Sequence, residues 1–383
     1  MDYLKYKNLF NCSIYHLNQN YNFSKNYILN IFSNKDLSDA YNNISKWKDY
    51  KPTPLIELNK LAKDLKINKI FYKDESKRFH LESFKALGGA YAIEQIAKKN
   101  NKIIISTATA GNHGRSVAWG AQRLGMKCKI FISKNVSKTR EEEMKKFGAE
   151  IIRVDGNYDD SFKKCKEISK KNNWQIVQDI SWENYNDVPI LIMSGYSVMI
   201  KEIVDQLKNH NPTHVILQAG VGGMAAAAIA GIAAYFKKIP EIIVVESNYA
   251  AGLLQSIKNN KPTKLNIKKE TIMGGMSCGE ISLIAWKVLN KSTKHSIAIP
   301  DDAVAFVMTL LSKAKLSDDK IIGGECSTPG IIALLAAHMN FDLKNKLNIK
   351  SDSKILVFGC EGATDKQIYR KLIKIGEQIN QSL

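Results

Sequence analysis

The sequence from residue 73 to residue 90 reads Lys73-Asp-Glu-Ser-Lys-Arg-Phe-His-Leu-Glu-Ser-Phe-Lys-Ala-Leu-Gly-Gly-Ala90 and decides the fold more than any other stretch. Lys85 follows Phe84 and stands just ahead of a Gly-Gly step that opens an apolar helix. A lysine held in a dry pocket forms a Schiff base with an aldehyde cofactor, because desolvation lowers its pKa and frees the amine. The alternative is a surface lysine, and the apolar neighbours of Lys85 argue against it.

Two glycine-rich segments make the cofactor of this lysine recognisable. Gly220-Val-Gly-Gly-Met224 follows an apolar strand and precedes an alanine-rich helix, where backbone N–H groups and the helix dipole favour a phosphate dianion. Glycines also occur where helices merely cross sheets, so the loop alone is weak evidence. Thr109-Ala-Gly-Asn-His-Gly114 adds a turn with side-chain and backbone donors. Together with Lys85, these segments predict a pyridoxal 5′-phosphate (PLP) site.

The individual residues of these segments have both functional and structural interpretations. The amide of Asn112 would bond the phenolate oxygen of the cofactor, although Asn before a glycine-containing turn also stabilises turns. Thr107, Thr109 and nearby backbone N–H groups would cradle a substrate carboxylate, with Ala110 and His113 beside it. For His113 we favour a structural role over a catalytic one. The predicted cofactor-binding residues are Phe84, Lys85, Asn112, Gly220, Val221, Gly222, Gly223, Met224, Cys360 and Thr364.

The composition is that of an ordinary soluble globular protein. The 383 residues are 44% hydrophobic and 24% charged, which allows two domains. The net charge of +19 comes almost entirely from scattered lysines, and without a zinc-finger spacing or basic–aromatic interleaving it predicts no nucleic-acid partner. The uncharged segment 217–236 has the length of a membrane span, but its glycines and alanines favour a helix buried against a sheet.

The N-terminus and the cysteines favour a reducing compartment. The first residues lack the apolar core of a signal peptide. The six cysteines include no Cys-x-x-Cys pair, so we expect no metal site and, by default, free thiols. Both features indicate a cytoplasmic protein with no membrane partner.

Short apolar runs alternate with amphipathic stretches from residue 86 onward, which predicts an α/β protein with mostly parallel sheets covered by helices. The glycine and threonine motifs follow strands, and ligands in such sheets sit beyond the carboxyl ends of the strands. We therefore predict two interleaved domains, a large PLP-binding domain of residues 1–88 and 196–383 and a small domain of residues 89–195. The active site is expected in the cleft between them.

The chain resembles the fold-type II PLP enzymes, the family of threonine dehydratase and the tryptophan synthase β chain. The resemblance is sharpest to the diaminopropionate ammonia-lyases and rests on five segments in order along the chain. These are Asp74–Lys85, Gln178–Pro189 with Ser194-Gly-Tyr196, Thr271–Glu280, Gly323–Cys326 and Cys360–Asp365.

The resemblance implies an activity, namely cleavage of 2,3-diaminopropionate to pyruvate and two ammonias by a carbon–nitrogen lyase. Lys85 would remove the Cα proton, and Asp179 would supply the carboxylate that a β-ammonium needs; a turn aspartate is the alternative for Asp179. Glu280 would contact the substrate or hold its own loop. Cys360, with Thr364 as a substitute, would face the pyridine nitrogen of the cofactor, and relatives are commonly homodimers.

One position departs from the family pattern. Diaminopropionate ammonia-lyases that accept both enantiomers resemble one another in an aspartate where this chain has Ala110. Without that second base, we expect a preference for the L-isomer, whose proton faces Lys85. The alternatives are a dehydratase of L-serine or L-threonine, elimination on another β-substituted alanine, and a non-catalytic PLP-fold binding protein.

Overall fold

The computed structural model describes residues 1–11, 14–208 and 210–381, which form two compact units built from interleaved segments. The larger unit comprises Met1–Ile31, Pro52–Ser83 and the chain from Met199 onward. The smaller unit comprises Phe32–Lys51 and Phe84–Val198. Strands and helices are numbered in chain order over the whole protein.

The larger unit contains a seven-stranded mixed sheet. Its strands are β1 (Ile14–Leu17), β2 (Leu55–Glu57), β3 (Lys69–Asp74), β8 (His214–Gln218), β9 (Glu241–Ser247), β10 (His295–Ile299) and β11 (Lys354–Gly359). They follow the order β1-β10-β9-β8-β11-β3-β2, and only the outermost pairs, β1 with β10 and β2 with β3, are antiparallel. Every residue of the central strand β8 is buried, as expected for a parallel strand covered on both faces.

Ten helices belong to the larger unit within the ranges that the structure describes. They are α1 (Lys25–Ile31), α3 (Asn59–Leu65), α9 (Val198–Leu207), α10 (Gly223–Tyr235), α11 (Gly252–Lys258), α12 (Leu283–Ser292), α13 (Val304–Ser312), α14 (Pro329–Met339), α15 (Phe341–Lys346) and α16 (Lys366–Gln381). Single 3₁₀ turns cover Glu75–Lys77, Gly274–Met276, Asp301–Ala303 and Glu325–Ser327, and a longer 3₁₀ segment covers Tyr3–Phe10.

The smaller unit contains a parallel four-stranded sheet in the order β6-β5-β4-β7. Its strands are β4 (Ile105–Ala108), β5 (Cys128–Ser133), β6 (Glu150–Val154) and β7 (Gln175–Ile176). Its helices are α2 (Asn34–Ile44), α4 (Lys85–Lys99), α5 (Asn112–Arg123), α6 (Lys138–Lys145), α7 (Tyr158–Lys171) and α8 (Asp187–Tyr196). Parallel strands alternate with helices in this unit, which is the periodicity that the sequence predicts.

The segment 217–236 does not form one continuous element. Leu217 belongs to the strand β8, glycines interrupt the chain, and the rest forms the buried helix α10. Within the described ranges, no helix combines the length and the apolar character that crossing a bilayer requires. Small side chains let α10 approach its neighbours closely, as at Gly231, where an added Cβ would lie 2.6 Å from Cβ of Ile200.

The two units group the chain slightly differently from the sequence-based division. Residues 32–51 were expected in the large domain, whereas they group with the smaller unit. The reason is local packing, because α2 contacts α4 and α8 of the smaller unit. Leu37, Ala40 and Ile44 form its buried face.

Candidate active site

Lys85 is the first residue of α4 in the smaller unit. Its ammonium forms an ion pair and hydrogen bond with Oδ2 of Asp179, and their side chains are 21% and 14% exposed. The amine also lies 5.3 Å from the ring centre of Phe84 and 5.6 Å from that of Tyr196. Lys85 is therefore a sheltered cation with one carboxylate partner and aromatic walls.

Two glycines allow close packing in the first turn of the helix that begins at Lys85. A Cβ at Gly88 would lie 2.6 Å from the carbonyl oxygen of Ile192 and would collide with the ring of Tyr196. A Cβ at Gly89 would collide with the hydroxyl of Ser116, which donates a 2.6 Å hydrogen bond to the carbonyl of Lys85. The Gly-Gly step thus lets α4 pack closely against α8 and α5.

Asp179 has a strongly perturbed environment. Its burial acts to raise the carboxyl pKa, but the charge of His113 whenever that imidazole is protonated, together with the charge and hydrogen bond of Lys85, outweighs that effect, and the pKa of Asp179 lies well below its usual range. Oδ2 of Asp179 is 3.8 Å from Nδ1 of His113. The carboxylate is consequently ionised at neutral pH.

His113 lies on α5 and is 4% exposed. Its Nε2 is 3.0 Å from the carbonyl oxygen of Val177, so this nitrogen carries the hydrogen. Burial lowers the pKa of His113, and the nearby carboxylate of Asp179 only partly opposes this. We therefore describe His113 as a neutral imidazole that anchors α5 to the segment preceding Asp179.

The remaining predicted residues of the smaller unit follow β4. Thr107 is fully buried and donates a 2.7 Å hydrogen bond to Oε1 of Gln178. Thr109 accepts a 3.4 Å hydrogen bond from the N–H of Gly111, and Ala110 lies in the same turn. Asn112 begins α5. The residues thus collect at the carboxyl end of β4 beside Asp179, while their contacts with a ligand stay predictions.

Gln178 is a feature that the residue-by-residue reasoning missed. Its side chain accepts from Thr107 and from the N–H of Ala108 at 3.3 Å. It also donates to the carbonyl of Ala108 at 3.1 Å and to the hydroxyl of Tyr158 at 3.0 Å. Gln178 therefore ties the segment carrying Asp179 to the end of β4, and its position directly before Asp179 was the available signal.

In the larger unit, the loop Gly220–Met224 connects β8 to α10. Gly222 is the N-cap residue and has φ +87°, a conformation that side-chain-bearing residues rarely adopt. A Cβ at Gly220 would lie 2.7 Å from the carbonyl oxygen of Gly275. The loop is thus bare backbone at the start of an uncharged 13-residue helix, and the first N–H groups of a helix lack intrahelical acceptors. These features fit the phosphate of PLP.

Cys360 and Thr364 follow β11 in the larger unit. Cys360 is 4% exposed and donates from Sγ to the carbonyl of Cys326 at 3.1 Å. The N–H of Thr364 donates to the carbonyl of Gly362 at 2.9 Å. Glu280 lies on a loop, is half exposed and pairs with Lys264. Five cysteines of the described ranges are free thiols, and Cys12 lies outside those ranges.

A buried ionic network supports the strand and turn that precede Lys85 in the chain. Arg78 is fully buried and contacts Glu202 through Nη1 and Nη2 at 2.8 Å each. It also contacts Glu75 through Nε at 2.8 Å. Lys73 donates to Glu202 and to the carbonyl of Thr53, at 2.8 and 2.7 Å. Two cations face two carboxylates here, an arrangement that only the folded chain reveals.

Comparisons with known proteins identify the family of this chain. A family model described as pyridoxal-phosphate dependent enzyme matches residues 46–361. The diaminopropionate ammonia-lyase of Escherichia coli strain K12 is 35% identical over 371 residues, which cover 91% of this chain and 93% of that protein. The Salmonella typhimurium strain LT2 enzyme of the same name is 34% identical over 364 residues, 86% of this chain and 89% of that protein.

Solved structures give the same result. The Escherichia coli diaminopropionate ammonia-lyase in complex with an aminoacrylate-PLP azomethine reaction intermediate has a TM-score of 0.88 at 34% identity, covering 96% of this chain and 98% of that one. Threonine deaminase isoform 2 from Solanum lycopersicum, with a TM-score of 0.76 at 18% identity, shares the fold alone. These findings confirm the predicted fold class, the PLP cofactor and the resemblance. The chain belongs to the pyridoxal-phosphate dependent enzymes and, within them, to the diaminopropionate ammonia-lyases.

Proposed function

We propose that this chain catalyses the α,β-elimination of 2,3-diaminopropionate to pyruvate and ammonia, with PLP covalently bound to Lys85. The observation that carries the proposal is the sheltered amine of Lys85 beside a carboxylate that stays ionised. We assign the phosphate of the cofactor to the loop Gly220–Met224, and the pyridine nitrogen to Cys360, with Thr364 as its substitute. Phe84 and Asn112 complete the proposed cofactor site.

PLP, when bound, supplies a ring that withdraws electrons from the substrate Cα. The chain's own contribution begins with the binding of substrate. The β-ammonium of diaminopropionate is a cation, and Asp179 is the carboxylate that we assign to it. Once the substrate α-amine has displaced Lys85 from the cofactor, the freed Lys85 amine and the β-ammonium would compete for one carboxylate, because a free Lys85 amine pairs with Asp179 in the structure. A displaced Lys85 amine loses the partner that favours its charged form and becomes a base for the Cα proton.

This competition for Asp179 would favour diaminopropionate, the substrate of an ammonia-lyase, over serine or threonine, the substrates of a dehydratase. The hydroxyl of serine or threonine carries no charge, so it gains less from Asp179 than a β-ammonium does. We propose that Thr107, Thr109, Ala110, His113 and Glu280 line the substrate site, in which the backbone after β4 receives the carboxylate. Thr107 and Glu280 have partners of their own, so they would act mainly by shaping the site.

We further propose that the enzyme prefers the L-isomer. The support is Ala110, whose methyl group cannot remove a proton from the face opposite Lys85. The expected turnover of L-diaminopropionate exceeds that of the D-isomer by at least about 100-fold, the usual contribution of one general base. The variant Ala110→Asp should raise D-isomer turnover while leaving the wild-type rate on the L-isomer within a few-fold.

One experiment tests these proposals together. The purified enzyme is assayed with D- and L-diaminopropionate, L-serine and L-threonine for release of ammonia and keto acid. Equal D and L rates would reject the isomer preference. Faster release of pyruvate or 2-oxobutyrate from serine or threonine would favour the dehydratase. A PLP absorbance band without turnover of any substrate would indicate a binding protein.

The finer features of organisation are also proposals. We propose a homodimer and a cytoplasmic location. The free thiols of the described residues support a reducing compartment. Analytical ultracentrifugation of the holoenzyme distinguishes a dimer from a monomer, and cell fractionation tests the location.

A further inference from the structure

Tyr196 is a buried polar group at the Lys85 site for which the proposed function has no use. The residue ends α8 and is 1% exposed. Its hydroxyl has no well-formed hydrogen bond among the described residues, and Lys85 is the one side chain whose hydrogen bond acts on its pKa. An unpaired buried hydroxyl is costly, since it has given up its bonds with water without replacement. A buried hydroxyl of this kind beside an active-site lysine is a candidate for binding a group that takes part in the reaction.

The packing around Tyr196 fixes where its ring lies. The ring meets Phe84 edge to face, with ring centres 4.7 Å apart. Gly88 lacks a side chain where the ring passes over the first turn of α4. The ring is thus held between the residue before Lys85 and the turn after it, and its centre is 5.6 Å from the Lys85 amine.

The charged groups around this phenol are few. Burial raises the pKa of Tyr196, the positive charge of Lys85 and a hydrogen bond with its amine act in the opposite direction, and the charge of Asp179 adds to the increase. The hydroxyl therefore stays protonated and neutral. The titratable groups that face the Lys85 amine are Asp179, Tyr196 itself and, behind Asp179, the imidazole of His113.

We propose that Tyr196 is a positioning residue whose hydroxyl oxygen accepts a hydrogen bond from the Lys85 amine whenever that amine is not bound to the cofactor. This inference rests on the proposed function, in which the amine leaves Asp179 to a substrate β-ammonium and must still be held near Cα. Asp179 serves as counter-ion in the resting arrangement, and Tyr196 serves as the neutral acceptor that remains. A neutral acceptor suits a base better than a carboxylate does, because it stabilises the charged form of the amine less.

The test uses the variant Tyr196→Phe, which keeps the ring and removes only the hydroxyl. The full-length protein is freed of cofactor, and the rate of PLP uptake is followed by absorbance between pH 6 and pH 10, because only the neutral amine reacts. Loss of the acceptor disfavours the ammonium form, so the midpoint of this profile should fall by about half to one pH unit. The kcat for diaminopropionate should fall while KM changes little.

The matched control is Tyr91→Phe, which removes another buried phenol of the same unit. Tyr91 is 3% exposed and its charged neighbours are Asp39, Glu94 and Asp36 rather than Lys85. The pH midpoint of PLP uptake by Tyr91→Phe should equal that of the wild type. The proposal is overturned if both variants have the wild-type midpoint, or if both shift alike.

Two further measurements keep the test decisive. If Tyr196→Phe does not fold, 3-fluorotyrosine is incorporated in its place, and the weaker acceptor oxygen should move the midpoint in the same direction. An unchanged midpoint there would also overturn the proposal. Lys85→Ala identifies a failure of the proposed function instead, because a variant that still takes up PLP with wild-type kinetics would show that Lys85 is not the cofactor lysine.

Discussion

The buried carboxylate of Glu202 should contribute more stability than any exposed ion pair in this chain. Its burial acts to raise its pKa, but Arg78 and Lys73 outweigh this and lower the pKa from 4.5 to about 2. A shift of roughly 2.5 pH units corresponds to about 3 kcal/mol of free energy of unfolding. The variant Glu202→Gln should lose about that amount at pH 7, because it leaves two buried cations facing one carboxylate.

The pH dependence of this loss has a defined sign. Because the pKa of Glu202 is depressed in the folded state, its contribution is complete above about pH 4.5 and disappears as the pH falls toward 2. The difference between wild type and Glu202→Gln should therefore shrink below pH 4.5. A matched control is Glu57→Gln in the same unit, since Glu57 is 41% exposed and pairs with Lys69 at 2.8 Å. It should lose less than about 1 kcal/mol.

The assay must follow unfolding of the larger unit separately, because the two units need not unfold in one transition. Trp286 is the one tryptophan of that unit's sequence, and the other four belong to the smaller unit. Urea unfolding followed by ¹⁹F NMR of protein labelled with 5-fluorotryptophan reports the Trp286 signal separately. A loss below about 1 kcal/mol at pH 7, or a loss that is the same at pH 7 as at about pH 2.5, would refute the reasoning.

Three further predictions follow from individual side chains. Asp179→Asn should lower kcat/KM for diaminopropionate by about 100-fold or more, which steady-state kinetics measures. If the variant lost less kcat/KM on diaminopropionate than on serine, the assigned role of Asp179 would be contradicted. Gly222→Ala should weaken PLP binding about 10-fold in fluorescence titrations, because a residue with a side chain is strained by roughly 1–2 kcal/mol at φ +87°. The control is Gly252→Ala, because the nearest packed atom to a Cβ at Gly252 would be 3.8 Å away. Burial raises the pKa of the Cys128 thiol to about 12. Iodoacetamide at pH 8 should therefore label the half-buried Cys278 before it labels Cys128. The order is read by mass spectrometry, and labelling of Cys128 before Cys278 would contradict the prediction.

Local sequence was sufficient for the parts of the site that depend on backbone conformation. Gly222 has the positive φ that a glycine loop before a helix predicts. The Gly-Gly step after Lys85 allows the close packing that its apolar surroundings indicate. Such features were predictable because one residue type and its neighbours determine them.

Features that depend on distant residues were not predictable in the same way. Arg78 stands in a polar stretch of the sequence, and only tertiary structure brings Glu202 to it across 124 positions of sequence. The ring of Tyr196 lies 5.6 Å from the Lys85 amine, where the absence of a side chain at Gly88 and the edge-to-face contact with Phe84 leave it room. The grouping of α2 with the smaller unit likewise depends on contacts with α4 and α8, which no local pattern encodes.

The most direct test of the account is to locate the cofactor on the chain. The holoenzyme is treated with borohydride, which fixes PLP to its lysine, and is then digested and sequenced by mass spectrometry. We expect the mass of one reduced pyridoxyl phosphate on Lys85 and none on the neighbouring Lys77. Label on another lysine, or no label on an enzyme that still turns over diaminopropionate, would contradict the account.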